Sequence, residues 1–229
     1  MKGLSKAALD AFDAIWPVFR APPDLTVSQW ADRERHLSPE ASAEPGRWDT
    51  ARAEYQRGIM DAVSDSEIHT VVVMSAAQIG KTEVVNNIVG FHIDQDPAPI
   101  LVMQPTLEMA QAWSKDRLAP MLRDTPALKG RVQDPRTRDS GNTLRHKVFD
   151  GGHITIVGAN ASAGLASRPI RIVLADEVDR YPVSAGTEGE IDTINFQSST
   201  IYRYTVPRGS TTANESLTGS TENGTLFYT

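Results

Sequence analysis

The sequence predicts an α/β domain: a mostly parallel sheet flanked by helices, preceded by a small helical N-terminal region. Three observations predict it. An apolar, β-branched run from Val71 to Met74 leads through a turn of small residues into Gly80-Lys81-Thr82 and a helix-compatible segment. A second strand-then-helix unit follows, with Pro99 to Gln104 (P-I-L-V-M-Q) closed by Pro105 and an amphipathic pattern over Leu107 to Leu122. A third apolar run, Ile170 to Ala175 (I-R-I-V-L-A), ends in the adjacent acids Asp176 and Glu177.

Length and composition bound what this architecture can contain. A chain of 229 residues holds one good-sized α/β domain plus an appendage. Hydrophobic content of 40% and charged content of 23% are those of an ordinary globular protein. No apolar run is long enough to cross a bilayer, and the first residues lack the charged and apolar regions of a secretory signal, so no membrane role is expected. The absence of cysteine excludes disulfides, thiolate metal ligands and a cysteine nucleophile, and fits a cytoplasmic setting. With a net charge of −6, any contact with nucleic acid has to come from a local patch.

In chain order, Leu4 to Phe19 has apolar residues at roughly helical spacing, interrupted by Pro17. Pro22-Pro23 breaks it, and Leu25 to Leu37 resumes with Thr26 or Ser28 as the N-cap. The proline-, serine- and acid-rich Ser38 to Arg47 reads as an extended surface connector. Trp48 to Ser64 is helical in pattern and carries Tyr55 and Gln56. An aromatic ring there can stack on adenine while the amide pairs with its polar edge; equally, Tyr55 can be a core aromatic and Gln56 a solvated polar residue. Lys115 to Lys147 is rich in Arg and Lys, either a solvated face or a place where a phosphate backbone is met. His153 to Val157 alternates as a strand, and Gly158 to Ser167 is a loop of small residues.

The turn between strand and helix at 75–82 has the layout of a phosphate-binding loop. That chemistry needs backbone N–H groups at a helix N-terminus for phosphate oxygens, a lysine for the β and γ phosphates, and a hydroxyl for Mg²⁺. Gly80, Lys81 and Thr82 supply the last part of the pattern, with Gln78 ahead of them. Where the pattern wants glycine the chain has Ser75, which implies either a strained backbone or a different loop path. Asp176 and Glu177 fit a second element of the same site. The first acid holds Mg²⁺ and the second orients or deprotonates the attacking water. An open parallel sheet brings both strand ends to one edge, although an acid pair after an apolar run can also be a surface turn.

Several phrases together carry a resemblance. Q-I-G-K-T-E (Gln78 to Glu83), G-A-N-A-S-A-G-L-A-S-R-P-I-R (Gly158 to Arg171) and L-A-D-E-V-D-R-Y-P (Leu174 to Pro182) resemble the ATPase domain of lambda-like, tailed-phage terminase large subunits. Asp24 to Asp32 and Ser38 to Trp48 are similar to the start of the same family, so the likeness runs from about residue 20 to 185. The resemblance implies a P-loop NTPase that uses ATP and Mg²⁺ to thread double-stranded viral DNA into a procapsid. It implies work as a homo-oligomeric ring on the portal in the host cytoplasm, with a small subunit that recognises the DNA. Carried over, Lys81, Thr82, Ser75, Gln78 and Gly80 hold the triphosphate, Thr82 and Asp176 the metal, Glu177 is the catalytic glutamate, and Tyr55 and Gln56 fall where adenine is contacted.

Two departures from the family accompany the likeness. Some members place an arginine just ahead of the loop glutamine, where this chain has Ala77. Another cation must then meet the charge on the transferring phosphoryl group; Arg168 is the candidate, unless it pairs with a surface acid. From Ile191 onward the pattern loses clear period and becomes rich in Ser, Thr, Asn and Gly. The expected division is therefore an N-terminal helical region and connector at 1–47, an ATPase domain at 48–190 and an atypical, disordered tail at 191–229. No spaced carboxylate cluster of the family's nuclease is found there, which suggests a truncated form. A superfamily-two-like DNA-dependent ATPase or helicase, and a non-catalytic nucleotide-binding remnant, are the alternatives.

Overall fold

The computed structural model describes residues 24–75, 79–132, 142–160 and 169–182, together with Lys6 and the backbone of three strands at 200–205, 219–222 and 225–228. The expected helix at 4–19, Gln78 and Arg168 lie outside the described residues.

The first described helix, α1 (Val27–Glu34), starts at Thr26, whose hydroxyl accepts from the Gln29 amide while the Gln29 side chain returns to the Thr26 N–H. That reciprocal cap satisfies two donors that a helix start leaves open. Ser38 to Arg47, read as an extended connector, closes instead into a hairpin in which β1 (His36–Leu37) pairs antiparallel with β2 (Gly46–Arg47). It is tied down by Arg117, which donates to the Ala41 carbonyl at 2.6 Å, and by Arg123, which pairs with Glu40 at 2.9 Å.

The remaining elements build a layered α/β body. Helix α2 (Tyr55–Ala62) precedes β3 (Thr70–Met74), which leads into α3 (Lys81–Asp94) and β4 (Ile100–Gln104). Next come α4 (Leu107–Trp113), a π-turn (Ser114–Leu118) and α5 (Ala119–Asp124), which together fill the single helix expected over 107–122. Pro120 explains the interruption, because it has no N–H for the ladder and its ring crowds the carbonyl four residues back. Strands β5 (His146–Phe149), β6 (Gly152–Gly158), β7 (Ile172–Ala175), β8 (Thr200–Thr205), β9 (Gly219–Glu222) and β10 (Thr225–Tyr228) complete the sheet.

The strand order is β5-β6-β4-β7-β8-β3-β10-β9. The six strands from β6 to β10 in that order are parallel, and β5 and β9 run antiparallel at the two edges. Central strands β4 and β7 are buried along their whole length, as strands covered on both faces must be. The sheet extends into the region assigned to a disordered tail, since β8, β9 and β10 all fall within 191–229. The signal was present in T-I-Y-R-Y-T and T-L-F-Y, short β-branched and aromatic runs set among residues of low apolar content.

Helix α1 packs along α3, and Val27, Trp30 and Ala31 share one core with Val71, Val73, Ile88 and Ile100. Trp30 is fully buried, and its indole lies so close to Gly90 that a Cβ there would come within 2.3 Å of the ring. The indole N–H donates to Asp94 at 2.9 Å. The described part of the expected N-terminal region is thus packed into the same core as the sheet.

Candidate active site

Strand β3 delivers its chain end to the C-terminal edge of the sheet. Ser75, just past it, is buried and its hydroxyl has no partner among the described residues. Its backbone is not left-handed; among the described residues Glu177 alone, glycines apart, has a positive φ. Of the two readings of the missing glycine, a left-handed, strained backbone at Ser75 is therefore ruled out; the loop at 76–78 lies outside the described residues. Gly80 does need to be glycine, because its φ is +80° and a Cβ there would sit 2.6 Å from the Gln56 side-chain nitrogen.

Two side chains of α2 fix that turn. The Tyr55 hydroxyl and the Gln56 Nε2 each donate to the Ile79 carbonyl at 2.8 Å. Gln56 is buried, and its Oε1 has no partner among the described residues, whereas Tyr55 keeps 39% of its surface exposed. Neither residue is the core aromatic or solvated amide of the plainer reading. Both act on the backbone of the turn, and it is the Tyr55 ring that remains open to a stacking partner.

Helix α3 begins at Lys81 without a side-chain cap. The Glu83 and Val84 amides turn back to the Gly80 carbonyl, at 2.9 and 3.3 Å, while those of Lys81 and Thr82 have no partner among the described residues. Lys81 is half-buried. Burial lowers the pKa of its ammonium, and the charges of Asp176, Glu177 and Asp179 oppose that. These carboxylates are close enough to act on Lys81, yet among the described residues none forms an ion pair with it.

Across the sheet, Asp176 follows β7 directly. Its amide donates to the Met103 carbonyl at 3.0 Å and its carboxylate accepts from the Gln104 amide at 3.2 Å. Burial raises the Asp176 pKa; the Gln104 bond and Lys81 oppose it, and the neighbouring Glu177 charge adds to it. No cation touches this carboxylate among the described residues. Glu177 is left-handed (φ 50°, ψ 47°) and opens a 3-10 turn, Val178–Arg180, so its side chain departs from the strand line. Arg180 lies 2.9 Å from Glu177 Oε2 as an ion pair without hydrogen-bond alignment. The Tyr181 hydroxyl donates to the Met103 carbonyl at 2.9 Å and closes the turn.

Strand β8 alone separates β3 from β7 in the sheet, so the two strand ends stand about 10 Å apart at ordinary strand spacing. The strand order therefore puts Ser75, Gly80, Lys81 and Thr82 on the same edge of the sheet as Asp176 and Glu177, and Asp176 is buried there while Glu177 opens the turn after it. Among the described residues, no three His, Cys, Asp or Glu gather as they would for a metal held by protein groups alone.

Four residues of this region were not singled out from the sequence. Gln104, Arg180 and Tyr181 shape the acid side. Arg35, only 3% exposed, donates to Glu83 Oε2 at 2.7 Å in the first turn of α3. Gln104 and Arg35 meet their partners across 72 and 48 residues of chain, where no local pattern exists to be read. The basic stretch 115–147 is largely spent on the domain itself. Among the described residues, Arg117, Arg123 and Arg131 bind Ala41, Glu40 and Asp94, Lys147 is buried, and Lys115, Lys129 and Arg145 are exposed, while Arg136 and Arg138 lie outside the described residues. Among the described residues, no helix is long and apolar enough to cross a membrane.

A family model for the phage terminase large subunit gpA, ATPase domain, matches residues 42–216. The chain is 29% identical over 169 residues to the terminase large subunit of Enterobacteria phage P21, covering 73% of this chain and 26% of that protein. It is 27% identical over 173 residues to the terminase large subunit of Escherichia phage lambda, covering 75% and 26%. The chain thus spans about a quarter of the length of these curated relatives. With the greater part of its length matched, the chain belongs to the phage terminase large subunit family, within the gpA ATPase domain.

Proposed function

We propose that this chain is a P-loop ATPase that hydrolyses ATP with Mg²⁺ and that, within a terminase large subunit, drives double-stranded viral DNA into procapsids. The observation that carries the reading is the gap between Lys81 and the acids Asp176 and Glu177: their charges act on one another without an ion pair. A cleft that presents an ammonium on one wall and, on the other, Asp176 without a counter-ion beside Glu177, which pairs with the exposed Arg180, with open helix amides beneath, suits a metal–triphosphate. The small subunit, the portal and neighbouring copies of the chain are partners proposed from the family.

Lys81 and the free amides of Lys81 and Thr82 hold the β and γ phosphates. Thr82 and Asp176 hold Mg²⁺, which when bound screens the phosphate charge. Glu177 orients the attacking water and takes its proton, and an arginine meets the charge on the transferring phosphoryl group. Arg168 remains one candidate; Arg180, which adds its own positive charge to the field at Lys81, is another. Tyr55 stacks on adenine from the wall where it holds Ile79.

Calorimetric binding and steady-state hydrolysis with the full 229-residue chain test the proposal. Lys81→Ala is expected to lose MgATP binding. Glu177→Gln is expected to retain it and to lose hydrolysis by about 10²–10⁴-fold. Binding by Lys81→Ala equal to the parent's would overturn the loop assignment. Stimulation of hydrolysis by procapsids would identify the packaging motor, and stimulation by duplex DNA with strand separation would replace it with a helicase.

A further inference from the structure

The first turn of α3 holds a carboxylate, Glu83, one residue beyond the hydroxyl assigned to the metal. A negative group at a helix N-terminus interacts favourably with the helix dipole, and so competes for the same positive end that is to receive phosphate. Close to a triphosphate, an uncompensated Glu83 would repel the ligand through a largely buried, weakly screened medium.

The structure removes that conflict from outside the matched ATPase domain. Arg35 precedes the matched residues 42–216 and follows α1, which lies along α3. Its guanidinium is almost wholly buried and pairs with Glu83 Oε2 at 2.7 Å. A second arm donates to the His36 carbonyl, and Asn86 donates to the other Glu83 oxygen at 3.3 Å. Both carboxylate oxygens are therefore engaged on the side of α3 that faces α1. Holding an arginine here has a cost, since its Nε is buried with no partner among the described residues.

We propose that Arg35 is a positioning residue for nucleotide binding: by pairing with Glu83 it cancels and turns aside the carboxylate that would otherwise compete with phosphate at the start of α3. The inference rests on the MgATP site proposed above. It makes the segment before the matched domain a working part of that site and requires Arg35 to act through Glu83 alone, without touching nucleotide.

The experiment is calorimetric titration of MgATP into the full chain, with thermal unfolding of each variant alongside. Arg35→Met is expected to weaken binding about tenfold or more, the size expected for one like charge added near the ligand. The double variant Arg35→Met/Glu83→Gln, which removes both charges, is expected to return to within about threefold of the parent. Glu83→Gln alone leaves the arginine uncompensated beside the phosphates and is expected to bind MgATP at least as tightly as the parent.

Equal binding by folded Arg35→Met and the parent would overturn the inference. So would a double variant as weak as Arg35→Met, because Arg35 would then act through packing and not through the charge on Glu83. If Arg35→Met does not fold, Glu83→Gln decides: weaker binding than the parent overturns the inference, and equal or tighter binding supports it. A parent chain that fails to bind MgATP would sink the ATPase reading itself, an outcome distinct from all of these.

Discussion

Arg35 and Asp176 are both charged and almost fully buried, and they are treated in opposite ways. Arg35 meets an opposite charge at 2.7 Å and a backbone carbonyl besides. Asp176 meets a neutral amide at 3.2 Å and no cation among the described residues. A buried charge that already has its counter-ion belongs to the scaffold. One that lacks it raises the energy of the empty protein and lowers it again when a cation arrives. Binding sites in this fold are thus marked by what buried charges are missing, and the same sheet edge shows both cases within one helix and one strand end.

The largest effect that can break the comparison is on the scaffold side. Arg35→Met leaves Glu83 without its counter-ion, and removing one partner of a buried pair is expected to cost about 3–5 kcal/mol of stability. Denaturant unfolding of the parent and variant measures it; a loss under 1 kcal/mol, about what an exposed pair is worth, would show that the pair is not scaffold. Next in size is Gly80→Ala, which forces a side chain into a left-handed backbone and against Gln56. A cost of about 1–3 kcal/mol is expected, with MgATP affinity falling alongside because the turn must shift. Retained affinity and stability together would mean that the Tyr55–Gln56–Ile79 clamp does not define the loop.

Asp176→Asn should move stability the other way. Replacing an unpaired buried carboxylate by a neutral amide of the same shape is expected to stabilise the nucleotide-free protein by about 1 kcal/mol near neutral pH. An acid whose folded pKa is raised costs stability as pH climbs above its unfolded value, so the gain should shrink at low pH and grow towards neutrality. The thermal shift given by MgATP should meanwhile be lost. A variant less stable than the parent at neutral pH, without ligand, would show that Asp176 is structural.

What was legible in the sequence is what neighbours in the chain encode. The run Val71–Met74 followed by Gly80-Lys81-Thr82, and Ile172–Ala175 followed by two acids, announce themselves because strand period, turn and helix start are local. That both ends face one cleft followed from parallel topology, a property of the whole sheet. Gln56 could be seen as polar and near the loop, but its bond to Ile79 depends on how α2 crosses the strand, which no spacing reveals. Ser75 was legible as a departure from the loop pattern; that it keeps an ordinary φ was not, because backbone path depends on what the rest of the turn does. Strand β8 was missed for a different reason: its β-branched and aromatic residues favour a strand, but flanking residues of low apolar content outweighed six residues in any window long enough to judge order.

The smallest test concerns the far end of β7, where a charge is both paired and wet. Asp96 accepts two bonds from Arg171, at 2.9 and 2.7 Å, and faces His92 across 3.5 Å. His92 first, and then Arg171, hold the Asp96 carboxyl well below the usual carboxylate range. Arg171 leads into β7, and its amide donates to the Pro99 carbonyl at 3.1 Å, so the pair aligns the entry of the strand whose other end carries Asp176. Both side chains are more than a third exposed, which limits the pair to about 0.5–1 kcal/mol. The sign is opposite to that of Asp176. An acid whose folded pKa is depressed contributes fully above its unfolded value, near 4, and loses that contribution as pH falls towards its folded one. Asp96→Asn should therefore be slightly less stable than the parent at pH 7, and the difference should vanish on acidification. A constant difference down to pH 2 would mean that Asp96 works by shape and hydrogen bonding, with its charge irrelevant. A difference of several kcal/mol at pH 7 would mean that the division between buried, decisive charges and wet, minor ones does not hold at this end of the sheet.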